Sequence, residues 1–160
     1  MAKAKSKETT TKSRTAEKPA PVTTAHGFDG ERLVALLGAP MTDPRIAEIL
    51  RELGYTKPVN EDVELKKLGI GLSFQDDQLR QVRFELRRRW TGCAKYEGRL
   101  PYDLSPDLRT KDQATVLADR APGEPMNDTW YSYKFPTHTL SMGFGKTYVE
   151  TVFVYVSSKA

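Results

Sequence analysis

Residues Ile70 to Leu86 read IGLSFQDDQLRQVRFEL, and their apolar pattern is the clearest structural signal in the chain. Apolar and polar residues alternate on both sides of a short polar interruption, Gln75-Asp76-Asp77-Gln78. Alternation with a period of two around such an interruption is typical of a β-hairpin. The pattern therefore predicts two antiparallel strands, at about 69–74 and 79–88, joined by a tight turn.

The same pattern returns seventy residues later in LSMGFGKTYVETVFVYV, from Leu140 to Val156. Only Phe74/Phe144 and Val82/Val152 are identical between the copies, but every apolar position of the first stays apolar in the second. The interruption also has the same length in both. Two hairpins of equal spacing predict a tandem duplication and a wide antiparallel sheet, an architecture suited to presenting a surface.

Helical patterns precede each hairpin. Residues 31–37 and 44–53 place leucine and isoleucine on one stripe, and the second run begins with an N-cap residue and a proline. Residues 106–120 give a less regular helical pattern, and strands are expected at about 129–135, 139–144 and 148–156. The predicted class is α+β, with two tandem repeats. Each repeat is a helix or helix pair followed by an antiparallel β-meander, and the helices pack on one face of the sheet.

Composition divides the chain into four segments. Residues 1–25 form a basic tail rich in Lys, Thr, Ser, Ala and Pro, which we expect to be disordered. Residues 26–90 make the first α+β repeat, 91–106 a connector punctuated by glycine and proline, and 107–160 the second repeat. The two repeats and the connector are expected to share one compact body.

The formal net charge of +4 lies in the tail. Residues 1–20 carry six basic and two acidic side chains, and the remaining 140 residues carry nineteen of each sign. The body therefore lacks the excess of basic residues expected of a nucleic-acid-binding domain. The chain also lacks an apolar run suited to a secretory signal or a membrane span, so we expect a cytoplasmic protein with no membrane partner.

No group of residues has the spacing of a catalytic, metal or cofactor site. Cys93 is the single cysteine, and His26 and His138 have no second ligand at metal spacing. Residues 143–147 contain Gly-Lys-Thr, but Leu140 stands where a phosphate-binding loop needs its first glycine. We therefore expect no catalytic residue, no metal, no cofactor and no small-molecule substrate. The chain is predicted to be a binding protein, not an enzyme.

Strand alternation predicts a binding surface on the sheet face that points away from the helices. If Val82 and Val152 face the helices, the residues between the inward positions face outward. The first hairpin then presents charged side chains and the second presents aromatic ones, a mixture typical of protein interfaces. The predicted partner-binding residues are Arg83, Glu85, Arg87, Trp130, Phe153 and Tyr155.

A basic cluster supports an alternative function. Arg87-Arg88-Arg89-Trp90 combines three cations with an aromatic side chain, and together with the basic tail it could contact a nucleic acid. The competing interpretation is an edge strand whose charges prevent further pairing. We retain nucleic-acid association, through the tail and Arg87–Arg89, as the second functional hypothesis.

Several segments resemble a recurrent type of bacterial protein. They are Leu36-Leu37-Gly38-Ala39-Pro40, Leu68-Gly69-Ile70-Gly71-Leu72-Ser73-Phe74, Tyr96-Glu97-Gly98-Arg99-Leu100-Pro101-Tyr102-Asp103-Leu104-Ser105 and Trp130-Tyr131-Ser132-Tyr133. Many such proteins look like immunity proteins of polymorphic or contact-delivered toxin systems. The arrangement of helix pair and meander is also similar to the fold of β-lactamase inhibitory protein and of the small outer-membrane assembly lipoprotein. We expect a departure from the lipoprotein in one respect, lipid attachment, because the single cysteine of the sequence is Cys93.

The resemblance extends over about residues 28–156 and concerns structural motifs, not chemical ones. It implies an immunity or inhibitor protein that binds a cognate toxin and occludes the active site of that toxin. An immunity gene normally adjoins its toxin gene, so the expected partner is encoded next door.

Overall fold

Both hairpins belong to one seven-stranded sheet in the computed structural model, which describes residues 26–87 and 92–157. The strands are β1 (Asp62–Leu65), β2 (Ile70–Gln75), β3 (Gln78–Glu85), β4 (Gly123–Asn127), β5 (Trp130–Lys134), β6 (His138–Phe144) and β7 (Val149–Val156). They lie in the order β1-β2-β3-β7-β6-β5-β4, and all neighbours are antiparallel. The second strands of the two hairpins, β3 and β7, therefore meet inside the sheet.

The two hairpins have the same pairing register. Leu72 pairs with Val82 in the first, and Met142 pairs with Val152 in the second, so partners correspond at a shift of seventy residues. A register irregularity interrupts each ladder at the corresponding position. The strand pairing expected from the apolar pattern is confirmed.

Two short helices precede the sheet. Helix α1 (Glu31–Val34) is shorter than the predicted run 31–37, whereas α2 (Pro44–Glu52) agrees with the prediction of 44–53. The Asp43 side chain caps α2 by accepting a hydrogen bond from the Arg45 amide at 2.9 Å, and Pro44 occupies the first turn. The apolar stripe of α2 is buried in the hydrophobic core, and this burial holds the helix in place.

The predicted fold class is wrong. The architecture is a single antiparallel sheet that dominates the described residues, with only two short helices, and it is not a pair of tandem helix-and-meander repeats. Both helices lie before β1. The correspondence between the two halves is therefore confined to strands and to the short segments that pair with them.

The third predicted helix, 106–120, does not form. Its first part is extended: Leu108 O accepts a hydrogen bond from the Val149 amide at 2.9 Å, and the Thr110 amide donates to Thr147 O at 2.9 Å. A three-residue 3-10 helix and a series of turns follow. The Thr115 hydroxyl donates to Asp112 O at 3.1 Å, a local side-chain bond of the kind that competes with regular helix. Tertiary pairing with the second hairpin thus overrides a weak helical pattern.

Strand β4 was not predicted, because Pro122-Gly123-Glu124-Pro125 has the composition of a turn. The structure places Gly123–Asn127 along β5 at the edge of the sheet, and all five residues are exposed. Proline is tolerated in an edge strand, since the missing amide can face solvent. This strand completes the sheet face on which the candidate site lies.

The core lies on one face of the sheet, where the inward residues of the strands meet α1, α2 and the connector. The inward residues with at most 1% exposure include Leu72, Val82, Phe84, Met142, Val152 and Val154. Tyr96 of the connector packs on Phe84 with ring centroids 4.9 Å apart. No helix among residues 26–87 and 92–157 is long and apolar enough to cross a membrane.

Candidate functional site

The second face of the sheet, called the outer face below, carries the side chains between the inward positions. At its centre Arg83 of β3 pairs with Phe153 of β7. Arg83 belongs to a charged half built by β1, β2 and β3, and Phe153 to an aromatic half built by β4 to β7. Five of the six predicted partner-binding residues belong to these two halves, namely Arg83, Glu85, Trp130, Phe153 and Tyr155.

The aromatic half is organised around Trp130. Its ring lies 5.5 Å from the Phe153 ring, centroid to centroid, at an interplanar angle of 48°. Gly143 makes this possible, because a Cβ atom there would stand 3.0 Å from two indole carbons of Trp130 and 3.0 Å from Thr151 Cγ2. The indole therefore lies across a position without a side chain and reaches toward β7.

A hollow of about 290 Å³ opens beside these rings. Its lining residues are Gln81, Met126, Asn127, Trp130, Ser141, Phe153 and Tyr155. Met126 is the exposed large hydrophobic residue of the described chain, at 57% exposure. Its sulfur accepts a hydrogen bond from the Ser132 hydroxyl at 2.7 Å, which holds β4 over the outer face.

Buried hydroxyl groups form the floor of the aromatic half. Ser132 and Ser141 are 2% and 3% exposed, and their hydroxyl oxygens are 2.5 Å apart. The Tyr155 hydroxyl lies 3.3 Å from the Ser141 hydroxyl. These bonds satisfy the polar groups beneath the rings and fix the position of Tyr155 at the rim of the hollow.

The charged half is organised around Arg83. Its Nη2 atom donates to both carboxylate oxygens of Glu64, at 2.8 and 2.7 Å. Its Nε atom lies 3.0 Å from Glu85 Oε1, close enough for an ion pair but without the geometry of a hydrogen bond. Gly71 provides the space, since a Cβ atom there would stand 3.0 Å from Arg83 Nη2. One guanidinium group thus serves two carboxylates.

Glu85 is the most buried charge of the outer face, at 6% exposure. Burial raises the pKa of its carboxyl group; Arg83 opposes the shift and Glu64 adds to it. Asp62 lies nearby and accepts a hydrogen bond from the Ser73 hydroxyl at 2.8 Å. Around Arg83, three acids face this one arginine, which gives this part of the face an excess of negative charge, although the chain as a whole is basic.

Arg87 does not join the outer face. It follows the end of β3, and its guanidinium carbon lies 4.6 Å from the centroid of the Tyr148 ring. Its Nη2 atom is 3.3 Å from Asp107 Oδ1, and its Nε donates to Val149 O at 3.2 Å. Arg88, Arg89 and Trp90, like the tail 1–25, lie outside the described residues.

The strand alternation that identified Arg83 and Phe153 also contains a signal for Glu64, because it places this residue on the same side as Asp62 in β1. The sequence interpretation missed Glu64 all the same. Met126 was missed as well, because β4 itself was not predicted. Neither Glu64 nor Met126 belongs to a recognisable sequence motif. Their position in the site follows only from the pairing of β1 and β4 with the neighbouring strands.

A separate polar cluster surrounds Tyr102. The Tyr102 hydroxyl is hydrogen-bonded to His138 Nε2, and the Tyr102 amide donates to Glu31 Oε2 at 2.9 Å. Burial raises the pKa of Tyr102 to about 12 and lowers that of His138. Both shifts move away from neutrality, the opposite of what a general acid–base pair needs at neutral pH. His138 begins β6 and is half-buried, with its ring stacked on Phe135.

The outer face offers aromatic, hydroxyl and carboxylate groups. No three His, Cys, Asp or Glu side chains among residues 26–87 and 92–157 are arranged to hold a metal ion. The outer face instead joins an open aromatic hollow to an acidic patch. Comparison of the chain with protein-family models, curated proteins and solved structures finds no significant match.

Proposed function

We propose that this chain is a non-enzymatic protein-binding module and that the outer face is its binding surface. The observation that carries the proposal is the aromatic hollow, where Trp130, Phe153 and Tyr155 surround an open space beside the exposed Met126. Aromatic and methionine side chains are enriched at the centres of protein interfaces. A partly exposed group of this kind beside an exposed methionine is typical of a surface that contacts another protein, which supports the proposal.

The charges of the face indicate the chemistry of the partner. Glu64, Glu85 and Asp62 outnumber Arg83, so an approaching basic side chain gains from the surplus. The partner is therefore expected to place an apolar side chain in the hollow and a lysine or arginine over Glu64. A charged rim next to a desolvated aromatic centre is the usual arrangement of a binding hot spot.

Within this class, the resemblance to immunity proteins favours an inhibitor of a bacterial toxin. The module would bind its cognate toxin in the cytoplasm and occlude the active site, and the toxin would be encoded by the neighbouring gene. Nucleic-acid binding has less support, because Arg87 is engaged by Asp107 and Tyr148 and because the face is acidic.

The test is a pull-down and calorimetric titration with the product of the neighbouring gene. Phe153→Ala/Tyr155→Ala should weaken binding by about 2 kcal/mol or more, roughly thirtyfold. Tyr148→Ala is the matched control, since it removes an aromatic ring outside the outer face and should leave the affinity unchanged. Unchanged affinity in a folded double variant would exclude the outer face.

Salt separates the two functional hypotheses. Phosphate-driven binding falls steeply as salt concentration rises, because each neutralised phosphate releases counterions. A complex built on the aromatic hollow should retain most of its affinity in the same titration. Strong, salt-sensitive binding to duplex DNA with no binding to the neighbouring gene product would favour the alternative.

A further inference from the structure

The two edges of the sheet differ in their capacity to accept another strand. At one edge, β4 carries Pro125, which has no amide to donate. At the other edge, β1 is Asp-Val-Glu-Leu and contains neither proline nor glycine. Edge strands with free backbone groups are templates for a further strand. The β1 edge is therefore the one that can pair.

The backbone groups of Asp62 and Glu64 point out of the sheet. Hydrogen-bonded positions alternate along an antiparallel ladder. The Phe74 amide donates to Glu61 O at 2.7 Å, so in the observed register the bonds to β2 fall at positions 61, 63 and 65. Outside the sheet ladder, no backbone bond within residues 26–87 and 92–157 uses the amides or carbonyls of Asp62 and Glu64.

A groove of about 780 Å³ runs beside this edge. Its floor includes the buried side chains of Leu53, Leu65 and Leu68. Three exposed lysines also line it, namely Lys57, Lys66 and Lys67. Among the described residues, none of their ammonium groups forms an ion pair. Asp62 and Glu64 also line the groove, and their carboxylates are bonded to Ser73 and Arg83. The edge thus combines free backbone groups, an apolar floor and the unpaired positive charge of the lysines.

We propose that the β1 edge binds an extended acidic segment of a partner protein by strand addition. The backbone of the added segment would form hydrogen bonds with the backbone groups of Asp62 and Glu64. One apolar side chain of the segment would enter the groove, and an acidic side chain two positions further along would contact the lysines. A second copy of this chain fits poorly, because antiparallel pairing of two β1 strands sets Asp62 and Glu64 opposite acids. The chain's own basic tail would meet like charges at the lysines.

The proposal can be tested with a fluorescein-labelled peptide, Thr-Val-Thr-Ile-Ser-Asp-Thr-Asp-Thr, in fluorescence anisotropy titrations. Lys66→Glu/Lys67→Glu should weaken its binding by about tenfold or more, because both attractive charges become repulsive. Lys111→Glu/Lys146→Glu changes the net charge equally at other sites and should leave binding within about twofold. Equal binding by both charge-reversal variants, or no binding at about 1 mM peptide, overturns the proposal.

Strand addition makes two further demands. A peptide with proline at two internal positions should not bind, since it cannot complete the ladder. Amide hydrogen exchange at Asp62 and Glu64 should slow when the original peptide binds; unchanged exchange, or full binding of the proline peptide, rules out backbone pairing. Trp130→Ala should bind the peptide normally, and loss of binding there would place the peptide on the outer face instead.

Discussion

Phe74 and Phe144 occupy the same position in two different hairpins. Each follows the register irregularity of its ladder and pairs with the first apolar residue after the turn, Phe74 with Leu79 and Phe144 with Val149. Their exposures are 5% and 2%. The two phenyl rings therefore occupy equivalent buried positions in the core, one in each half of the sheet.

Truncation at either position should be costly. Phe74→Ala and Phe144→Ala should each lower the free energy of unfolding by about 3–5 kcal/mol, through lost apolar burial and the cavity left behind. Urea denaturation measures the change. Gln75→Ala is the matched control, because Gln75 is the exposed neighbour of Phe74 and its loss should be nearly neutral. A mild effect at only one of the two phenylalanines would show that the two positions are not equivalent.

The Trp130 indole should respond to a methyl group beneath it. Gly143→Ala places a Cβ atom 3.0 Å from two indole carbons of Trp130, so the ring must shift slightly from its present place beside Phe153. We expect a loss of stability of about 1 kcal/mol and a changed emission maximum of Trp130, measured in a Trp90→Phe background. Ser157→Ala serves as the control variant. Gly92→Ala does not, because the φ of +63° at Gly92 would strain an alanine there. Unaltered emission would mean that Trp130 does not depend on the gap at Gly143.

The strands could be predicted from the sequence because their apolar residues alternate and the turn between them is polar. The hairpin β2–β3 turns through Asp76 and Asp77, whose φ angles of 51° and 58° suit the mirror-type turn of a tight hairpin. The helical content could not be predicted in the same way. Residues 108–110 become extended only because the turn of the second hairpin offers backbone partners, a long-range contact that no local pattern reports.

The residues of the site could be predicted where the strands are regular and side chains alternate between the two faces. Arg83 and Phe153 face outward because β3 and β7 are regular at these positions. Alternation fails at Arg87, because β3 ends at Glu85 and the chain then turns toward Tyr148. Met126 could not be placed in the site, because β4 contains Pro125 and directly follows Pro122, and this composition is typical of a turn.

The pH dependence of stability should reveal Glu85. Burial raises its pKa above the ordinary value of 4.5, with Arg83 opposing the shift. The folded state thus holds the proton more tightly than the unfolded state. The contribution of Glu85 is fully present below 4.5 and is lost as pH rises through the folded-state pKa. As pH rises from about 4 to 7, the unfolding free energy of Glu85→Gln should therefore fall less, or increase more, than that of the wild type.

Asp43 provides a control of opposite sign for this measurement. Hydrogen bonds from Arg45 lower its pKa below 3.8, so its contribution is present at neutral pH and is lost as pH falls. Asp43→Asn should weaken the protein at neutral pH and flatten its stability on the acidic side. Parallel pH profiles for wild type and Glu85→Gln would contradict the assignment of a raised pKa to Glu85.

Pro125 should keep the β4 edge from pairing. The Lys134 amide donates to Pro122 O at 2.9 Å, so the hydrogen-bonded positions of β4 are even-numbered and position 125 faces away from β5. Pro125→Thr would restore an outward amide to a fully exposed strand without removing a bond of the sheet. The variant should self-associate as its concentration rises, detected by size-exclusion chromatography with light scattering. Glu124→Thr, which alters the neighbouring side chain but adds no amide, should elute as wild type does. If Pro125→Thr behaves as the control does, the proline is not what protects this edge, and the contrast drawn between β4 and the open β1 edge loses its basis.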